Sequence, residues 1–214
     1  MMKNILSFIF LLVTFTSYSQ NNLPALYKKC LPSIVKVSCL THAGVVSDGT
    51  GFFIDKEGTV ITCYHVVENA YTVSIETQDG KRFFTDSVLA SNKKNDLIKF
   101  SIIKYKNDVI TPLAVSDKLP EVGENVFTIG NPDDFDFSMS SGIVSAIRQS
   151  FTGETIQNTA PCSPGSSGSP LMNMKGEVIG VLTFVKFSGQ NLNFATSAKE
   201  IINLKDDNTI QTLH

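Results

Sequence analysis

The chain has 214 residues, 42% hydrophobic and 18% charged, with a formal net charge of −2. That length suits one large domain, or one domain built from two subdomains. The composition supports a buried core and excludes a disordered chain, and the absence of a basic run or acidic tail argues against nucleic acid as a partner.

The first residues read as a leader. Lys3 precedes an almost wholly apolar run from Ile5 to Phe15, and Ser17-Tyr18-Ser19 then puts small residues where a signal peptidase reads. This layout predicts a signal peptide over residues 1–19, with cleavage after Ser19 and export to the periplasm or beyond. The run is shorter than the roughly 20 residues of a membrane span, and no Cys follows it for lipidation. No stable membrane anchor is therefore expected after cleavage. Four cysteines follow, Cys30, Cys39, Cys63 and Cys162. Export permits disulfides, and four cysteines allow three full pairings. Cys39 and Cys63 lie in apolar strand-like runs, so buried free thiols are an equal alternative. With no C-x-x-C and few His, the spacing is not that of a zinc site, and no metal or cofactor is expected.

Short strands then follow one another. Ser33 to Cys39 is rich in Val and Ile. Gly51 to Ile54 and Thr59 to Cys63 flank the turn signal Asp55-Lys56-Glu57-Gly58. Tyr71 to Glu76, Lys81 to Phe84 and Leu97 to Ile103 complete the first half. The second half has Asn125 to Ile129, Ser138 to Arg148, Glu154 to Gln157, Gly176 to Phe184 and Asn191 to Thr196. This spacing predicts an all-β barrel or sandwich. Only Ser197 to Leu204 reads as helix, with Ser197 as N-cap and Glu200 three residues later. A seam is expected near Tyr105 to Leu119. Asp133-Asp134-Phe135-Asp136 reads as a solvated loop, because a Ca²⁺ site needs about six to eight oxygens.

Three pieces carry chemistry. Of the three histidines, His214 is terminal, His42 lies in a polar stretch, and His65 follows the apolar strand Thr59 to Cys63. Asp96 immediately precedes the strand Leu97 to Ile103. In Pro164-Gly165-Ser166-Ser167-Gly168-Ser169-Pro170 two glycines bracket Ser167. Glycine lets amide N–H groups turn inward, as an oxyanion-binding loop requires. A base, an acid that orients it and a hydroxyl nucleophile are the parts of a catalytic triad.

Taken together, these stretches resemble the trypsin-like serine proteases, and most of all the bacterial Deg/high-temperature-requirement subgroup. Gly49 to Asp55 and Val60 to Val67 resemble the histidine region, and Asn95 to Phe100 the aspartate motif. Ile129-Gly130-Asn131-Pro132 and Ser141 to Ser145 resemble the opening of the second barrel. Pro164 to Leu171 and Gly176 to Val181 resemble the nucleophile motif and the strand after it. The resemblance covers about residues 30 to 204. It implies two six-stranded antiparallel β-barrels, chymotrypsin-like, with a short C-terminal helix. The protease domain would span 20–214, with barrels at about 30–108 and 113–204.

The resemblance also implies roles. Ser167 would be the nucleophile, His65 the general base and Asp96 its orienting partner. The backbone N–H groups of Gly165 and Ser167, with that of Ser166, would hold the oxyanion. Pro161, Cys162, Ser163, Thr183, Phe184 and Phe194 would wall the specificity pocket. None is acidic, so protein or peptide substrates with a small or aliphatic residue before the cut are expected. Ser166 and Ser169 depart from the family motif. Without an acid at 166, activation by a buried new N-terminus is not expected. Ser169 adds a side chain, and a positive φ there would store about 1–3 kcal/mol of strain. That departure keeps two alternatives open: a trypsin-fold protein that binds without cleaving, and an esterase using the same triad. Deg-type proteins usually carry peptide-binding PDZ domains after the protease, and this sequence is read as the protease domain alone.

Overall fold

The structure is a computed structural model and describes residues 22–44, 46–132, 135–150, 153–185 and 192–205. The expected signal peptide, Asp133, Asp134 and His214 lie outside the described residues. Twelve strands form two closed antiparallel barrels. The first comprises β1 (Ile34–Thr41), β2 (Val46–Phe53), β3 (Val60–Thr62), β4 (Ala70–Thr77), β5 (Arg82–Asn92) and β6 (Leu97–Ile102). The second comprises β7 (Asn125–Gly130), β8 (Ser138–Ser150), β9 (Gly153–Asn158), β10 (Pro170–Asn173), β11 (Val178–Val185) and β12 (Asn193–Ser197). Around each barrel the order is the same: β1-β2-β3-β6-β5-β4 and β7-β8-β9-β12-β11-β10.

Alternation along the strands builds the cores. On β1, Val35, Val37 and Cys39 are buried, and on β4 Val73 and Ile75 are buried while Tyr71 is exposed. The first barrel closes over Phe52, Phe53 and Phe100, each worth about 1.5–3 kcal/mol of apolar burial. The second barrel sends its strands two ways. Val126 and Leu171 point into its own core, whereas Phe127, Ile129, Met172 and Val181 join the first barrel's cluster. With a side-chain period of two, one strand serves both cores. The segment between β6 and β7 crosses this shared face. Leu113 N–H donates to Phe53 O at 2.8 Å, and Val178 N–H donates to Ala114 O at 2.8 Å.

Some elements were not foreseen. A helix, α1 (Leu23–Cys30), precedes the first barrel, so the C-terminal helix is not the sole helical segment. Asn22 Oδ1 accepts from Ala25 N–H at 3.2 Å to cap it, and Pro24 sits in its first turn. Its apolar stripe of Leu23, Leu26, Tyr27 and Cys30 packs on the core, and Tyr27 OH donates to Phe137 O at 2.9 Å. β10 was missed because it has four residues and opens on Pro170. Its pairing with β7 and β11 makes it a strand.

Candidate active site

The first barrel supplies a coupled His and Asp. After β3 the chain passes Cys63 into one helical turn, α2 (Tyr64–Val67). Val66 and Val67 are buried, which leaves the His65 side chain facing outward and 46% exposed. Asp96 lies in the tight turn between β5 and β6, at φ +54°, a left-handed conformation that Asp tolerates better than most residues. Its carbonyl accepts from Tyr64 N–H at 3.1 Å. Its carboxylate then grips His65 twice: Oδ1 accepts the backbone N–H at 2.9 Å and Oδ2 meets ring Nδ1 at 2.6 Å. A carboxylate only accepts, so the ring proton sits on Nδ1 and Nε2 is left with its lone pair. The hydrogen bond to Asp96 raises the His65 pKa above its ordinary 6.5, against the opposing effect of burial.

The turn that carries Asp96 is held from the second barrel. Asn95 Nδ2 donates to Glu200 Oε2 at 2.7 Å, and Thr196 Oγ1 donates to Asn95 O at 3.0 Å. Glu200 belongs to the C-terminal helix α3 (Ala198–Ile202), where Ser197 Oγ caps by accepting from Lys199 N–H at 3.3 Å. Glu200 thus reaches across to the Asp96 turn.

The second barrel supplies the serine loop, between β9 and β10. It is two consecutive turns. Ser166 N–H donates to Ser163 O at 3.0 Å, with Pro164 and Gly165 (φ +86°) between. Ser169 N–H donates to Ser166 O at 3.0 Å, with Ser167 and Gly168 (φ +87°) between. A positive φ at the third residue is the mark of a type II turn, and glycine occupies both such positions. Gly168 has a second reason to be glycine: a Cβ there would lie 2.0 Å from Thr50 O. Ser167 stands at the tip of the second turn. Among the described residues, the N–H groups of Gly165 and Ser167 have no acceptor, whereas the Ser166 N–H is spent inside the first turn.

His65, Gly165 and Ser167 open on one cavity of about 370 Å³. Of the anticipated pocket walls, Cys162, Ser163 and Thr183 line it. Pro161 and Phe194 do not: Pro161 is exposed, and Phe194 points away from the cavity because its neighbour Asn193 points in. The Phe184 side chain lies outside the described residues. Sequence reasoning missed Asp48 on β2, a carboxylate lining the cavity, and did not separate Asn193 from Phe194.

Residues 49–181 match the family model described as the trypsin-like peptidase domain. The chain belongs to the trypsin-like peptidase family. It is 34% identical over 167 residues to a Synechocystis sp. protein bearing the serine protease name HhoB, covering 74% of this chain and 39% of that one. It is 36% identical over 141 residues to a Hahella chejuensis protein named as a DegP-like periplasmic serine endoprotease, covering 63% and 29%. The chain therefore spans well under half the length of these relatives. The crystal structure of the serine endoprotease from Yersinia pestis superposes with a TM-score of 0.74 at 23% identity, over 84% of this chain and 64% of that one, a likeness of fold.

The consequence of the serine at 169 differs from the one expected. Ser169 is not at positive φ, so no backbone strain arises there. It is fully buried, and its Oγ has no hydrogen-bond partner among the described residues. It stands against Gly130, where a Cβ would lie 2.1 Å from that oxygen. The four cysteines are free. Burial raises every one of their thiol pKa values, to about 12 for Cys39 and Cys162. Cys63, His65 and Asp96 have ligand-type atoms within 4.8 Å of one another. His65 Nδ1 is already committed to Asp96, and Cys63 Sγ donates to Leu182 O at 3.1 Å, so the cluster is a hydrogen-bonded network.

Proposed function

We propose that this chain is an exported serine endopeptidase that cleaves peptide bonds through Ser167, His65 and Asp96. The observation that carries this reading is the two-point grip of Asp96 on His65, facing the Ser167 turn across one cavity. Ser167 Oγ attacks the scissile carbonyl while His65 Nε2 takes its proton. Asp96 keeps His65 in the tautomer that leaves Nε2 unprotonated, and stabilises the imidazolium that forms. The Gly165 and Ser167 N–H groups receive the oxyanion, each donor worth about 2.7–4 kcal/mol of barrier lowering. His65 then protonates the leaving amine, and a water activated by the same nitrogen releases the acyl group from Ser167.

Substrates are proteins or peptides. Leu182, Thr183, Cys162 and Asn193 give the second-barrel side of the cavity neutral walls, and Asp48 on the first-barrel side is paired with Lys36 at 3.6 Å, which supports an uncharged, small or aliphatic residue before the cut. The basic-apolar-small layout of the first 19 residues supports export, and among the described residues no helix is long and apolar enough to cross a membrane.

A fluorophosphonate probe tests the reading. Wild type should be labelled, and Ser167→Ala and His65→Ala should not. A folded wild type that resists labelling would make the protein a non-cleaving binder. Ester hydrolysis with no cut in a peptide library would make it an esterase. The N-terminus of the exported protein is expected at Gln20, read by terminal sequencing.

A further inference from the structure

Two sequence motifs remain outside the proposed triad. Gly49-Thr50-Gly51 lies on β2 of the first barrel, and Ile129-Gly130-Asn131-Pro132 closes β7 of the second. They meet at one hydroxyl. Thr50 Oγ1 donates to Gly165 O at 2.9 Å and accepts from Asn131 twice, from the backbone N–H at 2.9 Å and from Nδ2 at 3.2 Å. Both residues are fully buried. A hydroxyl has one proton to give and two lone pairs to fill. Here both lone pairs face N–H groups, so the proton can only point at Gly165 O.

Asn131 is itself fixed. Its Nδ2 also donates to Val35 O at 3.2 Å, and its Oδ1 accepts from Phe137 N–H at 3.0 Å.

The serine loop can be followed one peptide plane at a time. The plane joining Gly165 to Ser166 is pinned at both ends: its carbonyl by Thr50 Oγ1, its N–H by Ser163 O. The plane joining Ser167 to Gly168 is pinned likewise. Its carbonyl accepts from Thr50 N–H at 2.9 Å, and its N–H donates to Leu182 O at 2.8 Å. Thr50 therefore holds the carbonyls on either side of the Ser167 N–H, one with its side chain and one with its backbone. Glycine at 165 has no side chain to impose a conformation, so the pin on its carbonyl is what restrains the residue that carries the first N–H.

We infer that the Thr50 hydroxyl, oriented by Asn131, is a positioning group that holds the Gly165 and Ser167 amides toward the cavity. The structural part stands alone; the kinetic part rests on the serine endopeptidase reading. Three variants test it. Thr50→Val removes the hydroxyl and keeps the shape. Thr50→Ser keeps the hydroxyl and drops the methyl. Asn131→Asp keeps the acceptor for Phe137 and removes one of the two donors that aim the hydroxyl.

In Thr50→Val, kcat should fall about 10²-fold with KM within about threefold, because a misplaced oxyanion donor acts on the transition state. Thr50→Ser should restore most of that loss, and Asn131→Asp should show a smaller fall in kcat than Thr50→Val. Amide hydrogen exchange of residues 163–169 reads the loop without any turnover. Thr50→Val should speed exchange at Ser166 and Gly168 at least about tenfold, and Thr50→Ser should not. Unchanged exchange in Thr50→Val overturns the inference, whether or not the protein cleaves anything. So does a Thr50→Ser variant as impaired as Thr50→Val, which would assign the effect to methyl packing. Should Thr50→Val fail to fold, unchanged kcat and exchange in Asn131→Asp overturn it. A wild type inert to fluorophosphonate removes the protease reading alone, and exchange still decides the positioning role.

Discussion

The two barrels share one strand order and contribute opposite kinds of chemistry. The first offers an imidazole and a carboxylate: His65 on a helical turn and Asp96 on a tight turn, bonded to each other at 2.6 Å. The second offers backbone amides and neutral side chains, set by two glycines at positive φ in a loop of two consecutive turns. Each half is steadied by the other. Glu200 of the second barrel's helix holds the turn bearing Asp96, and Thr50 of the first barrel holds the loop bearing Ser167. Under the proposed protease reading the barrels divide the labour: proton chemistry on the barrel with the large aromatic core, charge stabilisation on the barrel that carries the serine loop.

If that division holds, damage to the first half should alter pH dependence and damage to the second should not. The largest effect is expected for Asp96→Asn. A carboxamide can donate to Nδ1, which moves the ring proton to Nε2 and leaves no lone pair to accept from Ser167. The expected fall in kcat is about 10⁴-fold. The pH profile gives the finer reading. With its pKa raised, wild-type His65 stays protonated to higher pH, so the acid limb of kcat/KM should lie above 6.5. The stability this pair gives is fully present below pH 6.5 and fades as pH rises through the raised folded value. In Asp96→Asn the His65 titration, followed by NMR, should drop back toward its ordinary value.

Gly168→Ala is the matching blow to the second half. The new Cβ would meet backbone, Thr50 O at 2.0 Å, and would also force alanine to φ +87°. Overpacking and backbone strain together should cost about 2–6 kcal/mol, read from urea unfolding. The His65 titration should not move in this variant. A shift comparable to that of Asp96→Asn would break the division.

How much of this was legible beforehand follows the range of the interactions. His65, Asp96 and the Gly-bracketed Ser167 stand in local patterns, and most strands announce themselves by alternation. β5 was read as Lys81 to Phe84 and runs to Asn92, because register shifts near Val88 break its alternation. At the pocket wall parity held and went unread. The irregularity between Leu182 and Phe184 falls on β11, while β12 alternates without a break, Asn193 and Ala195 buried and Phe194 between them on the other face. The helix α1 had signals that went unread, a stripe at i, i+3, i+4 and i+7 behind Asn22 and Pro24. The meeting of Thr50 with Asn131, 81 residues apart, left no local trace, since only closure of both barrels creates it.

The smallest effect is expected at Ser169, and its sign is the informative part. Its hydroxyl is buried without a partner among the described residues, next to a glycine that has no room for a side chain. Burying an unpaired hydroxyl costs about 1–3 kcal/mol, so removing it should relieve part of that cost. Ser169→Ala keeps Cβ and deletes only the oxygen. It should stabilise the fold by about 1 kcal/mol in urea unfolding and leave both kcat and the acid limb unchanged. A destabilised Ser169→Ala would mean that the hydroxyl has a partner, and that the serine loop depends on a polar contact within its own barrel as well as on Thr50.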